Sequence, residues 1–411
     1  MHKKASLTII FITIFIDLVG FGIILPVLPF YALEFGASAS QIGLLGASFS
    51  LMQFLFMPIW GRLSDRYGRR PILLMSLCGS TAFLICTGLA NSLTALFVVR
   101  MGAGLFMANI ATAQAYMADI TSDEERAKGM GLLGAAFGLG FIFGPAIGGF
   151  LSGYGLATPF FAAGALAGAN TICAFFLLKE SRPVEKRENS PALKGVWRNE
   201  YDRFKRAVFH PVIGLLLLLF FIITLAFSNL EATFALLLDA NFGYDERDNA
   251  FIFTFIGVIS AIVNGGLIGP LVKKFGERKL LVTGVFTQAV SFVMLPYTES
   301  LFALLFATGL IAVGAGLTNP TLTSLISRNS GSDVQGGTLG VTQSLGALAR
   351  VFGPAWGGLF FDLYGPAAPY WSGGTLLVLA GGVGLYVLLG RDAMHRVSTP
   401  PSPEQHPPNS P

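Results

Sequence analysis

Four charged residues stand inside long apolar runs of this chain, where each costs at least about 2.5–3.5 kcal/mol unless it faces protein or water. Asp17 lies in IDLVGFGIILPVLP, Arg100 opens RMGAGLFMANIATAQAYMADIT, Glu231 lies in FSNLEATFALL, and Arg350 stands among Gly346, Gly353 and Gly357. Those glycines fall on the arginine's own helical face, so Arg350 should point into a helix bundle. Two acids and two bases could form ion pairs that only orient helices. They could also move protons, because the proton affinity of a buried carboxyl depends on desolvation and on neighbouring charge. Glu231, with Phe227 and Phe234 on its own face, is the favoured carrier or cation-binding group, and Asp17 with Arg100 the favoured coupling pair. Which acid meets which arginine is not legible from spacing.

Further polar residues interrupt the same runs: Asn109, Gln114, Tyr116, Asn229, Asn264, Gln288, Asn319 and Gln343. Each could bind a neighbouring helix or line a cavity. Asn109, Gln114, Asn229 and Asn319, with Phe227 and Phe234, are the candidate cavity lining. Other chemistries lack their parts. The four histidines lie outside every apolar run, the three cysteines (Cys78, Cys86, Cys173) lie within them, and no phosphate-cradling loop occurs. Neither a metal site, a disulfide framework nor ATP drive is expected.

The elements that must position these residues follow from composition. The 411 residues are 53% hydrophobic and 12% charged, with 50 glycines, 37 phenylalanines and a mean hydropathy of +0.66. A soluble core of this size could not hide so much apolar surface, which excludes a soluble enzyme, a disordered scaffold and a nucleic-acid module. Apolar stretches recur at about 6–32, 40–60, 71–90, 93–117, 129–152, 157–178, 211–238, 250–272, 279–297, 300–327, 337–361 and 367–390. Crossing a bilayer takes about 20 residues as a helix, so twelve spans are expected. The first continues through Pro26 and Pro29 without a small-residue cleavage site and is not read as a signal peptide. Alternate loops hold 24 of the 27 Lys and Arg residues, the opposite loops only Arg247. By the positive-inside rule both termini lie in the cytoplasm.

A polar segment, 179–210, divides the spans into halves at 1–178 and 211–390. Leu193, Trp197, Tyr201, Phe204 and Val208 recur there at helical spacing, predicting an amphipathic helix on the membrane interface. The Pro-rich tail, 391–411, is expected to be disordered. The halves repeat: Gly144-Pro-Ala-Ile-Gly-Gly149 recurs as Gly353-Pro-Ala-Trp-Gly-Gly358, and Gly61–Arg70 as the weaker Gly269–Arg278, about 208–209 residues apart. Internal repeats enclosing a central site mark secondary transporters.

The loop GRLSDRYGRR, with Gly61, Asp65, Gly68 and Arg69, and the glycine run GLGFIFGPAIGG, with Gly140, Gly144, Pro145, Gly148 and Gly149, resemble motifs of the major facilitator superfamily. Within it the chain resembles the twelve-span drug:proton antiporters, including tetracycline exporters. The resemblance covers residues 6–390. It implies an all-α membrane fold of two pseudo-symmetric six-helix bundles in a plasma (inner) membrane. It also implies a gating latch in which Asp65 faces the start of span 11 near Gly336–Thr338, completed by Arg69 and Asp119. Lys273 and Ser327 replace Asp65 and Asp119 in the second half, so one latch is expected. The glycine run resembles the motif that marks antiporters as opposed to importers, which points to export, and the Arg100 segment resembles the one whose arginine is linked to proton transfer. Tetracycline exporters carry further acids in spans 3 and 9 and a histidine in span 8. The matching places here hold Phe83, Gln288 and Ser260, so metal–tetracycline recognition is not implied despite the shared ADITSDEERAKG.

The expected function is a proton-coupled exporter of small amphipathic compounds, powered by the proton gradient without a cofactor, functional as a monomer in the lipid bilayer, with no nucleic-acid partner and no enzymatic step. A metabolite importer and a lipid or lysolipid flippase of the same fold are the alternatives.

Overall fold

The computed structural model describes residues 2–108, 110–121, 123–182, 196–330 and 335–397. Helix occupies every one of the twelve expected apolar stretches, and no strand occurs among the described residues. Eight of the described helices are long and apolar enough to cross a membrane, with shorter apolar helices at Leu93–Phe106 and Gly138–Ser152.

The first half contains α1 (His2–Ile24), α2 (Leu28–Glu34), α3 (Ala39–Tyr67), α4 (Arg69–Gly88), α5 (Leu93–Phe106), α6 (Ile110–Ile120), α7 (Asp123–Ser152) and α8 (Thr158–Leu177). The amphipathic α9 (Val196–Val208) follows, then α10 (Ile213–Phe242), α11 (Glu246–Ile262), α12 (Ile268–Phe275), α13 (Glu277–Met294), α14 (Leu301–Asn329), α15 (Gln335–Tyr364) and α16 (Ala368–Val397). The predicted linker helix is therefore present. Ala207, Phe204 and Val208 pack into the second half's core, whereas Tyr201 is exposed. Leu193 lies outside the described residues. The last helix runs past 390 to Val397, because RDAMHRV contains no helix breaker before Pro400. The tail from 398 lies outside the described residues.

Local signals start corresponding helices of the two halves alike. Ser38 and Asp245 each close a capping box, with Gln41 and Asp248, at the starts of α3 and α11. Ser92 and Ser300 accept from the N–H groups of Ala95 and Ala303 at the starts of α5 and α14. Gly68 and Gly276 turn the chain with φ of 107° and 80° before α4 and α13, a conformation that L side chains rarely adopt.

Three expected spans are interrupted. Span 1 breaks before Leu28, with Pro29 in the first turn of α2. Span 8 passes through a π-helical turn at Val263–Leu267, which contains Gly265 and Gly266. Span 4 breaks between α5 and α6, freeing backbone carbonyls in apolar surroundings, where an unsatisfied group is costly. Side chains of the packed helices take them up. Trp60 Nε1 donates to Leu105 (2.6 Å), Gln53 Nε2 donates to Met107 (3.2 Å), and the Ser76 hydroxyl donates to Phe106.

Candidate functional site: a charged cavity between the halves

Both halves contribute to one cavity of about 460 Å³. It runs from Leu28 and Ile42, near the ends opposite the basic loops, to Ile10, Leu73 and Gln343 towards them. Asp17 on α1, Arg100 on α5, Glu231 on α10 and Arg350 on α15 all line it, so the four charges singled out by the sequence share one cavity, two from each half. Glu231 and Arg350 stand on adjoining helices of the second half, near enough for their charges to attract, with no ion pair within 4.0 Å between them. Arg100 instead places its guanidinium 4.3 Å from the centre of the Phe49 ring, and its Nε makes no hydrogen bond among the described residues. Phe21 stacks beside Phe49 with ring centres 6.1 Å apart. The wall is mostly apolar with a few convergent polar groups, the usual make-up of a site for an organic ligand.

The other candidates divide. Gln114, Phe227, Gln288, Asn319 and Gln343 line the cavity, Gln288 also donating to Thr318 Oγ1 at 3.0 Å. Phe234 does not line it, contrary to the expectation from its helical face. One turn nearer the sealed end the helices converge, and Phe234 is wholly buried with its ring 5.5 Å from that of Phe253. Asn229 is not lining either: it is buried and donates to the Pro369 carbonyl oxygen at 2.7 Å, tying α10 to α16. Tyr116 donates to the Lys179 carbonyl oxygen, and Asn264 is exposed and donates to Ser260 on its own helix. Asn109 lies outside the described residues.

The glycine run forms two contacts rather than one. A Cβ on Gly140 would stand 2.9 Å from Leu18 Cβ, one on Gly144 would stand 2.5 Å from Gly22 Cα, and one on Gly148 would overlap the Ile23 carbonyl oxygen. These glycines, around Pro145, let α7 and α1 pack backbone against backbone. Gly149 points the other way, against Ala250 of the second half. The repeat holds for the copy: Gly353 and Gly357 pack on α10, and Gly358 packs on Ala39 of the first half.

Two bridges that sequence reasoning missed seal the end opposite the basic loops. The N–H groups of Ala39 and Ser40 donate to the two carboxylate oxygens of Asp362 (3.2 and 2.8 Å), joining the C-terminal end of α15 to the first turn of α3. Asn249 donates to the Pro26 carbonyl oxygen at 2.9 Å. Asp362 lies just past the apolar stretch 337–361. Its partial burial disfavours the charged form, but the hydrogen bonds from Ser40, Ser38 and Ala39 outweigh this and hold the carboxyl below its usual range. An acid directly after an apolar run was the available signal; its partner, 322 residues away, carried none.

At the basic end Arg69 joins Asp65 (2.7 Å) and Asp119 (3.2 Å), as the resemblance implied. Two members were not foreseen. Arg182 pairs with Asp65 at 3.1 Å, and the Glu180 carboxylate accepts from the N–H groups of Arg69 and Arg70 at the start of α4. There a negative charge is favoured by the helix dipole. Gly61, read from the sequence as part of the loop, lies inside α3 with open space where a Cβ would stand, and the turn before α4 is made by Gly68. The side chains of 331–337, where Asp65's expected partner begins, lie outside the described residues.

The pattern of the Major Facilitator Superfamily matches residues 10–268 and 216–411. The chain is 33% identical over 367 residues to Multidrug resistance protein 2 of Bacillus subtilis (strain 168), covering 88% of this chain and 90% of that protein. It is 33% identical over 392 residues to the class C Tetracycline resistance protein of Escherichia coli, covering 94% and 96%. Among solved structures, the human organic anion transporter MFSD10 (TETRAN) superposes with a TM-score of 0.73 at 25% identity, covering 93% and 99%.

Proposed function

Because the chain belongs to the Major Facilitator Superfamily, we propose that it is a proton-driven antiporter exporting small amphipathic compounds by alternating access. The carrying observation is the central cavity between the halves, which two acids, two arginines and several aromatic side chains line together. The likeness to multidrug and tetracycline resistance proteins supports export over import.

The physical basis of coupling is the cost of burying charge. Closing the cavity around an unneutralised carboxylate costs several kcal/mol, so occlusion is favoured when a proton or a cationic substrate occupies it. Glu231, facing Arg350, is the group for which proton and substrate compete. Asp17 and Arg100 form the coupling element beside it. The apolar wall around Phe21, Phe49 and Phe227 accepts the rest of the substrate. The cluster at Asp65, Arg69 and Asp119 is the latch of the alternate state, at the cytoplasmic face by the positive-inside rule. Both termini lie on that face, and the end sealed by Asp362 faces outside. One chain supplies both halves of the cavity, so the monomer is the transporting unit, and the proton gradient replaces any cofactor.

The test is transport in inverted membrane vesicles acidified inside. They should accumulate a fluorescent lipophilic cation and release it when the pH gradient is collapsed. Accumulation of a metabolite down its own gradient, with no response to pH, would favour the importer instead.

A further inference from the structure

The two seams that close the outer end are related by the internal repeat, yet they are finished differently. Gly149 and Gly358, 209 residues apart, stand at equivalent places, the first against Ala250 and the second against Ala39. One turn further along are Gly153 and Asp362, also 209 residues apart. On the seam between α15 and α3, Asp362 reaches across and accepts two backbone N–H groups. On the seam between α7 and α11, Gly153 has no side chain to reach with. The guanidinium of Arg247 lies on it instead, where a Cβ would overlap it.

The first turn of α11 does not need an acid from outside. Asp245 already accepts from the N–H groups of Arg247 and Asp248 at 2.9 and 3.0 Å, and Asp248 accepts from the Asp245 N–H at 3.3 Å. What this seam presents is a cation, with no carboxylate at ion-pair distance among the described residues. Around it lies an open groove of about 640 Å³. Its sides include Phe150, Tyr154 and Phe251, which are 69%, 72% and 58% exposed. An exposed tyrosine such as Tyr154 at the end of an apolar helix marks the level of the membrane interface, and the exposed Phe150 and Phe251 offer apolar surface beside it.

A cation beside an apolar groove at that level is complementary to a phospholipid, whose phosphate and acyl chain need those two surfaces. We propose that the groove between α7 and α11 binds one outer-leaflet phospholipid with an anionic headgroup. Its phosphate sits on Arg247, in the place that the Asp362 carboxylate holds on the other seam, and one chain lies along Phe150 and Phe251. The lipid touches both halves and so favours the state sealed at this end. The binding is independent of what the central cavity carries.

Native mass spectrometry of the full-length protein in mild detergent, titrated with dioleoyl-phosphatidylglycerol, tests this. Wild type and Arg247→Lys should each retain one tightly held lipid. Arg247→Gln should weaken that first binding about fivefold, the effect of one basic residue on an anionic headgroup. Gly153→Asp, which installs an acid beside Arg247, should weaken it similarly. Thermal unfolding of each variant without added lipid identifies one that has failed to fold; the remaining variant then carries the comparison. Equal first-lipid binding in all four proteins would overturn the proposal. So would displacement of the lipid by inorganic phosphate alone, which would reduce the site to one for small anions.

Discussion

Glu231 and Asp17 face one cavity in different company: the first stands opposite Arg350, while the arginine nearest in role to the second lies over Phe49. Removing one member of a buried charge pair leaves the other uncompensated, at a cost of about 3–5 kcal/mol. Arg350→Ala should therefore lower the unfolding temperature in detergent markedly, and adding Glu231→Gln to it should recover part of the loss. No recovery would mean that the two charges do not act as a pair. Asp362 makes a different prediction, because the hydrogen bonds from Ser40, Ser38 and Ala39 outweigh its partial burial and hold its carboxyl below the usual range. Its contribution to the sealed end is complete above the ordinary carboxylate value of about 3.9 and disappears as pH falls through the lowered one. Spin labels beside the bridge, at the start of α3 and the end of α15, should keep their separation from pH 8 to pH 5 and move apart only in stronger acid. Asp362→Asn should populate the separated state at neutral pH. An unchanged distance distribution in that variant would show that the bridge does not hold the seam.

Glycines give the sharpest predictions about the helices, because neighbouring positions with the same residue differ in their surroundings. Gly144→Ala brings a methyl group to 2.5 Å from Gly22 Cα, so overpacking should cost about 1–3 kcal/mol and lower thermal stability. Gly61→Ala, with open space around it, should be silent in the same assay. Much of this level was legible beforehand. The apolar stretches and the glycine repeat are local signals, and each appears where its spacing placed it. The break between α5 and α6 was not legible, because RMGAGLFMANIATAQ contains neither proline nor a polar run. Its compensation comes from Trp60, Gln53 and Ser76 on other helices. The same limit explains Phe234, whose helical face was correct but whose depth depends on where helices converge; Asn229, two residues from Glu231, points away from the cavity towards α16. Asp362 and Asn249 act across the halves, at separations no window on the sequence spans.

At the scale of the molecule, a cavity sealed at one end by backbone contacts and side-chain bridges between the halves fits a transporter that opens its ends in turn. Asp65→Asn should then slow transport severalfold while leaving substrate affinity nearly unchanged, because the cluster at Asp65, Arg69 and Asp119 lies outside the cavity. A large loss of affinity with normal turnover would contradict its role as a latch. The central claim is that proton and substrate compete for a carboxyl in the shared cavity. The most direct measurement is proton release from the detergent-purified protein on adding cationic, neutral and anionic amphipaths, with Glu231→Gln and Asp17→Asn beside wild type. Wild type should release protons with at least one class of compound, and Glu231→Gln should lose that release. Binding without release in wild type, or full release from Glu231→Gln and Asp17→Asn alike, would contradict it.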